Sequence, residues 1–368
     1  MPLQEIVSLL KETTHQQIPA GETIFHAGDT GYGMYFILSG EVEITLKGQR
    51  LDYLVAGQLF GEMALVDDQV RSATATAVSD CVLAHIDKAR FSALTQQRPS
   101  FAAELMVIMS TRLRRFIQEE VKRQRLEQEL AIGQQIQLSL LPENCPSIPG
   151  WDFAAIYRAA RQVGGDLYDF ILDPDHPELL HLVIADVTGK GVPAALFMAL
   201  CRTVIRTEAR NGRSPAELLQ RTNQFLISEQ RSRTFLTAFF ASLNTQTGEL
   251  RYAIGGHDRP YWWQAANGRL QQLNGRGMLL GAFPTIHIED HAITLAPGDS
   301  LVLYTDGITE ARHNADLFDE ARLETIIAAK AHTAVAQLAQ EILQAVVQFS
   351  GDTPQSDDIT LVVLKRQE

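Results

Sequence analysis

Four short acidic motifs lie in the last two thirds of this 368-residue chain, and each borders an apolar run. Apolar runs of this length predict strands, so the carboxylates are expected at strand ends. Carboxylate oxygens suit Mn²⁺ and Mg²⁺, and paired ions of this kind activate water for attack on phosphorus. The motifs are Gly164-Gly165-Asp166, Asp186-Val187-Thr188-Gly189, Thr305-Asp306-Gly307 and Asp357-Asp358-Ile359-Thr360.

A second motif nearer the N-terminus has the residue types of an anion site. Phe60-Gly61-Glu62-Met63-Ala64-Leu65 is followed by Arg71-Ser72-Ala73-Thr74. Backbone N–H groups at a helix start bind anions, and an arginine such as Arg71 completes the site. Glu62 cannot bind phosphate, but it can accept hydrogen bonds from sugar hydroxyls. The alternative for Arg71 is a surface ion pair with Asp67 or Asp68.

Composition excludes several classes of protein. The net charge of −12 argues against nucleic acid as a partner, because such surfaces need clustered Lys and Arg. The three cysteines form no CxxC pair, which favours a reducing cytosol over a disulfide framework. No apolar run approaches the ~18 residues of a membrane span, so we expect a cytoplasmic protein without a membrane partner.

The elements expected to position these motifs fall into three regions. Glycine-punctuated strands over 18–90 predict a small β-barrel or jelly roll. Helical spacing from Ser100 to Leu141 predicts one long helix with a narrow apolar stripe, which favours pairing with a second copy in a coiled coil. Two helices broken near Gly133 are the alternative. Alternating strands and helices from Trp151 onward predict an α+β sandwich. The predicted domains are 1–112, a helical linker 113–142, and 143–368.

The N-terminal motif resembles the phosphate-binding cassette of cyclic-nucleotide-binding domains, the family of catabolite activator protein. The family pattern is F-G-E-x-A-L followed by P-R-x-A, and here Val70 replaces the proline. The resemblance implies that Glu62 holds the ribose 2′-hydroxyl of cAMP or cGMP. It implies that the cyclic phosphate is held by Gly61, Met63, Ala64, Arg71, Ser72 and Ala73. Members that bind DNA carry a helix-turn-helix after the long helix, and no compact basic helix pair follows here.

The acidic motifs, taken in order, resemble the PPM-type metal-dependent serine/threonine phosphatases, specifically the SpoIIE/RsbU-like branch. The matching segments are GGDLYDF, ADVTGKGVPAALFMA, GGHDRP, YTDGITEA and SDDITLVV, and the preceding QQIQLSLLP is similar to the entry helix of that branch. The resemblance implies two or more Mn²⁺ or Mg²⁺ ions. Its implied ligands are Asp166, Asp186, the Val187 carbonyl, Asp306 and Asp357, with Asp358 a further candidate.

The same resemblance suggests roles for three other residues. Arg161 lies five residues before Asp166, as does a phosphate-binding arginine of eukaryotic relatives. His257 is interpreted as a loop anchor rather than a general acid, and Asp169 as structural. Lys190 is expected to be solvated.

Together these features predict a cyclic-nucleotide-regulated protein phosphatase that forms a homodimer through the linker helix. Relatives act on phosphoserine of STAS-domain anti-sigma-factor antagonists, so the resemblance implies a substrate of that kind. Two alternatives remain open: a non-catalytic sensor scaffold, and a constitutive phosphatase with a silent nucleotide domain.

Overall fold

The computed structural model describes residues 15–63, 69–97, 99–229 and 234–368, and only the backbone of residues 101, 102, 104 and 105. The chain divides into two compact units, Met1–Lys122 and Arg123–Glu368. The domain limits at 112 and 142 stay predictions. Among the described helices, none is both long enough and apolar enough to cross a membrane.

The first unit contains two four-stranded antiparallel sheets, in the orders β1-β8-β3-β6 and β2-β7-β4-β5. Its strands are β1 His15–Ile18, β2 Thr23–Phe25, β3 Gly33–Ser39, β4 Glu41–Leu46, β5 Gln49–Val55, β6 Leu59–Phe60, β7 Thr74–Ala77 and β8 Cys81–Asp87. Fully buried Ile37 and Leu83 pack in one apolar cluster, and fully buried Phe36 packs in a second. The predicted jelly-roll class is confirmed.

Two helices follow the strands, α1 Lys88–Gln97 and α2 Ser100–Leu140. Helix α2 is continuous through Gly133, so the single-helix prediction is confirmed and the break is not found. A glycine inside a helix costs about 1 kcal/mol relative to alanine, which 41 residues of otherwise good helix formers tolerate. Pairing of α2 with a second copy stays a prediction.

The second unit is a sandwich of two five-stranded sheets, ordered β10-β11-β12-β13-β16 and β15-β14-β17-β20-β9, and its named strands pair in antiparallel register. The first sheet comprises β10 Leu167–Leu172, β11 Leu179–Val187, β12 Leu236–Asn244, β13 Glu249–Gly255 and β16 His291–Thr294. The second comprises β9 Trp151–Arg158, β14 Tyr261–Gln264, β15 Arg269–Gln272, β17 Ser300–Tyr304 and β20 Ile359–Arg366. A short hairpin joins β18 Arg312–His313 to β19 Asp316–Leu317.

Helices cover the outer face of each sheet. Helices α3 Val192–Ala209 and α4 Pro215–Glu229 pack with the first sheet in one apolar core. A second core joins the other sheet to α5 Asp306–Thr309, α6 Asp319–Lys330 and α7 Val335–Ser350. Strand β11 is buried on both faces, which explains its nearly unbroken apolar sequence. The α+β sandwich prediction is confirmed.

Candidate active site and nucleotide pocket

The predicted metal-binding carboxylates collect where the two sheets of the sandwich meet. Asp166 precedes β10 and Asp186 lies near the end of β11, and the pairing of Leu167 with Ala185 sets these aspartates opposite each other. In the second sheet, Tyr304 pairs with Leu361, so the segments carrying Asp306 and Asp357 emerge at the same edge. Four motifs that are far apart in sequence are therefore brought together.

Asp166 joins the two sheets directly. It is 1% exposed, and its Oδ2 accepts hydrogen bonds from the hydroxyls of Thr305, at 2.8 Å, and Thr360, at 2.6 Å. Asp186 makes a further side-chain hydrogen bond with Asp166. This contact brings two of the predicted metal ligands side by side.

Burial and mutual repulsion raise the pKa of these acids. The pKa of Asp166 is raised well above its usual value by burial and by the charge of Asp186. Burial raises the pKa of Asp186 to about 7, with Asp306 and Asp357 adding repulsion. The pKa of Asp306 is raised to about 6, again by burial and by Asp357. Such a group of acids attracts positive charge strongly.

One ammonium group already lies in this cluster. Lys190, in the loop between β11 and α3, places Nζ 2.8 Å from Oδ2 of Asp357 and also donates to the carbonyl of Ser356. Lys190 is exposed, as expected of a solvated lysine, but it also makes this ion pair, which was not predicted. Its contact partner lies 167 positions further along the chain, so local sequence could not indicate the pair.

Asp358 and Arg161 lie differently from the other predicted site residues. Asp358 is 7% exposed, and its carboxylate accepts N–H bonds from Ala160, at 2.7 Å, and Gly165, at 2.5 Å. It anchors the loop before Asp166, and this use of its oxygens disfavours direct metal binding. Arg161 is exposed, and among the described residues it makes no ion pair with the carboxylates.

The glycines of the motifs permit close backbone approach. A Cβ atom at Gly165 would lie 2.8 Å from the carbonyl oxygen of Val187, and one at Gly307 would overlap the carbonyl of Asp358. The predicted Val187 ligand is thus an oxygen that the Gly165 backbone approaches directly. Any larger residue at either glycine would force these loops apart.

The donor set fits hard divalent cations. Across the described residues, no group of three or more His, Cys, Asp or Glu side chains already surrounds a single ion position. The fit rests instead on the chemistry of the side chains. The carboxylates are oxygen donors that repel one another, namely Asp166, Asp186, Asp306 and Asp357. Among the residues described, Lys190 is the one cationic side chain that contacts them. Mg²⁺ and Mn²⁺ prefer such oxygens and keep several waters, so a preformed cage is not required.

Two residues near the cluster have structural roles. Buried His257 bonds through Nδ1 to the Thr237 hydroxyl at 2.8 Å, and burial lowers its pKa to about 4. It is neutral at pH 7, as expected for an anchor rather than an acid. Asp169 is buried against Arg202 and Arg206 of α3, at 3.0 and 3.4 Å, so its structural role is confirmed.

The first unit has a cavity of about 190 Å³ at the second motif. Arg71 is 6% exposed, donates to the Gly61 carbonyl at 2.9 Å and stacks over Phe25. The lining also includes Glu62, Met63, Ser72 and Ala73. Ala64, together with Asp67 and Asp68, lies outside the described residues, so the surface ion-pair alternative for Arg71 is not addressed.

Helix α2 contributes a residue that the sequence interpretation missed. Arg112 lies 3.1 Å from Oε1 of Glu62 and donates to the Leu59 carbonyl at 2.6 Å. The predicted ribose acceptor is therefore held by an arginine of the linker helix. Nothing in the charged run around Arg112 distinguishes it from its arginine neighbours.

Comparisons with known proteins match both halves of the chain. The family model of Stage II sporulation protein E (SpoIIE) matches residues 176–367, and the family model of the cyclic nucleotide-binding domain matches residues 15–98. Phosphoserine phosphatase RsbU of Bacillus subtilis is 28% identical over 253 residues, which cover 69% of this chain and 73% of RsbU.

Two further matches each cover part of the chain. The cyclic AMP receptor protein of Thermus thermophilus is 36% identical over 116 residues, covering 30% of this chain and 54% of that protein. The solved SiaA-PP2C domain of Pseudomonas aeruginosa superposes with a TM-score of 0.59 at 23% identity, covering 66% of this chain and 98% of that domain. The second match supports the fold.

The sandwich with carboxylates between its sheets defines a serine phosphatase domain of the PPM class, here joined to a cyclic-nucleotide-binding domain. The chain belongs to the SpoIIE family. Membership of this family implies dependence on a divalent metal, and the cyclic-nucleotide-binding domain implies a nucleotide ligand.

Proposed function

We propose that this protein is a cyclic-nucleotide-regulated, Mn²⁺- or Mg²⁺-dependent protein serine phosphatase. The observation that carries the proposal is the group of four mutually repelling carboxylates, Asp166, Asp186, Asp306 and Asp357, at the meeting edges of the two sheets. These residues and the Val187 carbonyl would hold the ions. When bound, the ions supply positive charge for the phosphoryl oxygens and activate water.

The chain's own residues prepare this site. The hydroxyls of Thr305 and Thr360 both donate to Oδ2 of Asp166, which restricts the orientation of its carboxylate. Lys190 neutralises part of the charge on Asp357. Because Lys190 is partly exposed, it can follow the carboxylate or turn to an incoming phosphate without large backbone movement.

Regulation is supported by the Arg112–Glu62 ion pair. A ribose hydroxyl bound to Glu62 would compete with Arg112 for the same carboxylate, and the cyclic phosphate would compete with the Gly61 carbonyl for Arg71. Arg112 belongs to α2, the helix that continues to Leu140. We propose that nucleotide binding acts through this helix, with a coupling of about 1–3 kcal/mol.

The substrate and assembly are proposed from the family. RsbU is named a phosphoserine phosphatase, and partner-switching relatives support a phosphorylated STAS-domain protein as the substrate. A homodimer through α2 is supported by its exposed apolar side chains, which include Leu113, Phe116, Ile117 and Val121. A lone helix with such a stripe has nothing to bury it against, and a second copy supplies that surface.

The test is phosphate release from p-nitrophenyl phosphate with Mn²⁺, with and without cAMP or cGMP. We expect metal-dependent release that one nucleotide alters, and loss of release in Asp186→Asn. Activity unaffected by either nucleotide would support a constitutive phosphatase. Manganese binding without release, also from a phosphorylated STAS protein, would support a scaffold.

A further inference from the structure

Gln137, in the last turn of α2, is buried where its apolar neighbours are exposed. Gln137 is 5% exposed, whereas Ile136 and Leu138 are 59% and 46% exposed. Burial of a polar amide beside exposed apolar side chains reverses the usual pattern of an amphipathic helix. A buried amide of this kind needs hydrogen-bond partners, and it finds them on the backbone of the second unit.

The partner of Gln137 is the backbone of Gly164. Nε2 of Gln137 donates to the Gly164 carbonyl at 2.6 Å, and the Gly164 N–H donates to Oε1 of Gln137 at 3.0 Å. We call these two bonds the Gln137–Gly164 amide pair. Two bonds to one residue fix both the position and the orientation of its backbone, which a single bond cannot do.

The opposite side of this loop is equally constrained. Gly165 donates its N–H to Asp358, and a Cβ atom at Gly164 would overlap both the Tyr157 hydroxyl and the Asp358 carboxylate. The Gly164-Gly165 backbone is thus held between Gln137 on one side and Asp358 on the other. Asp166 is the next residue, so the position of this backbone sets the position of the Asp166 carboxylate.

We propose that Gln137 is a positioning residue, through which the last turn of the linker helix sets the loop that carries Asp166. The inference rests on the proposed phosphatase function and deepens its regulation. A rotation or shift of this helical turn breaks both bonds of the amide pair together. Two buried backbone groups then lose their partners, and the loop has to rearrange. Helix movement is thereby converted into a change at a metal-binding carboxylate.

The first test needs neither metal nor activity. Gln137→Leu keeps the side-chain volume and removes both bonds, and Gln135→Leu on the exposed side of the same turn is the matched control. In metal-free full-length protein, we expect hydrogen exchange of the segment 160–166 to accelerate about tenfold in Gln137→Leu and to stay as in the wild type in Gln135→Leu. Unchanged exchange in both variants would overturn the amide pair.

The second test measures the Mn²⁺ concentration that gives half-maximal hydrolysis of p-nitrophenyl phosphate. We expect an increase of about tenfold in Gln137→Leu, with the KM for substrate within about twofold of the wild type. A partly unfolded enzyme would lower kcat at every Mn²⁺ concentration without moving the half-saturation point. An unmoved half-saturation point in folded Gln137→Leu would overturn the positioning role.

A milder variant keeps the inference testable if Gln137→Leu does not fold. Gln137→Glu keeps the acceptor for the Gly164 N–H and loses the donor, so we expect exchange between that of wild type and Gln137→Leu. Wild-type exchange in Gln137→Glu would count against the pair. If the wild-type protein does not hydrolyse p-nitrophenyl phosphate, the proposed function is contradicted. The exchange measurements would still show whether the Gln137–Gly164 amide pair holds the loop.

Discussion

The hydroxyl of Thr360 donates a 2.6 Å hydrogen bond to Oδ2 of Asp166, across 194 positions of sequence. This bond connects β20 of one sheet to the loop before β10 of the other. Thr360 is fully buried, and its backbone N–H donates to the Thr305 hydroxyl at 3.0 Å. The two threonines and Asp166 form the internal support of the carboxylate site.

Replacing Thr360 tests this support. Thr360→Val keeps the shape and removes the donor, so Asp166 loses one of its two threonine bonds. We expect a loss of about 1–3 kcal/mol in unfolding free energy and an increase of about tenfold in the Mn²⁺ concentration for half-maximal activity. The measurements are thermal unfolding and a Mn²⁺ titration of activity.

The control for this change is Thr360→Ser, which retains the hydroxyl and should keep the Mn²⁺ requirement near that of the wild type. Equal Mn²⁺ requirements in the valine and serine variants would show that the hydroxyl does not support the metal site.

The raised pKa of Asp186 predicts a pH-dependent stability of the metal-free protein. Burial and neighbouring carboxylates raise this pKa to about 7, so the folded state holds the proton more tightly than the unfolded state. The contribution of this carboxyl to the free energy of unfolding is therefore fully present below about pH 4. It is lost as the pH rises through 7, because the folded protein must then hold a buried negative charge on Asp186. Asp186→Asn carries no such charge and should raise the Tm at pH 8 by about 4 °C or more.

Metal-free wild type and Asp186→Asn should be compared by calorimetry at pH 5 and pH 8, with the difference in Tm larger at pH 8. Asp175→Asn, at an exposed aspartate outside the cluster, is the control and should show no such trend. A difference that shrinks toward pH 8 would contradict the raised pKa. Asp186→Asn should also abolish Mn²⁺-dependent hydrolysis.

Nucleotide binding should depend on Arg71 far more than on exposed arginines. Arg71 lines the first-unit cavity, and its guanidinium is the expected partner of the cyclic phosphate. We expect Arg71→Ala to weaken cAMP or cGMP binding at least about 100-fold in isothermal titration calorimetry. The control is Arg50→Ala, because the Arg50 side chain is 65% exposed and pairs with Glu43. This variant should bind the nucleotide as the wild type does. Similar affinities for the two variants would remove Arg71 from the site.

The exposed stripe of α2 predicts self-association. Phe116 and Val121 are 60% and 59% exposed, so charges placed there should not disturb the fold of a single copy. We expect Phe116→Glu combined with Val121→Glu to convert a dimer to a monomer in sedimentation equilibrium. Glu119→Gln combined with Lys122→Gln, on the same helical turns, should leave the dimer intact. A wild-type monomer at micromolar concentration would contradict the pairing.

Sequence patterns predicted the large features of this protein for a local reason. Strand and helix periodicity depends on neighbouring residues, so the helix beginning at Ser100 and the strand leading to Asp186 could be expected from the chain itself. The phosphatase class was indicated differently, by the resemblance of the ordered acidic motifs to those of the PPM family. Each motif has its own carboxylate, and three of the four also contain a glycine, so each can be recognised without knowing which segment it contacts.

Only the tertiary structure decided how these parts are connected. Lys190 meets Asp357, Gln137 meets Gly164, and Arg112 meets Glu62 because separate strands and helices arrive at one place. Asp357 and Asp358 are adjacent aspartates with no local difference. Their side chains nevertheless diverge, one toward Lys190 and the other toward the N–H groups of the loop before Asp166. The sequence by itself determined which carboxylates stand at strand ends. The packing of two sheets determined their roles, because hydrogen-bond geometry across a sandwich is set by contacts between distant segments and not by neighbours along the chain.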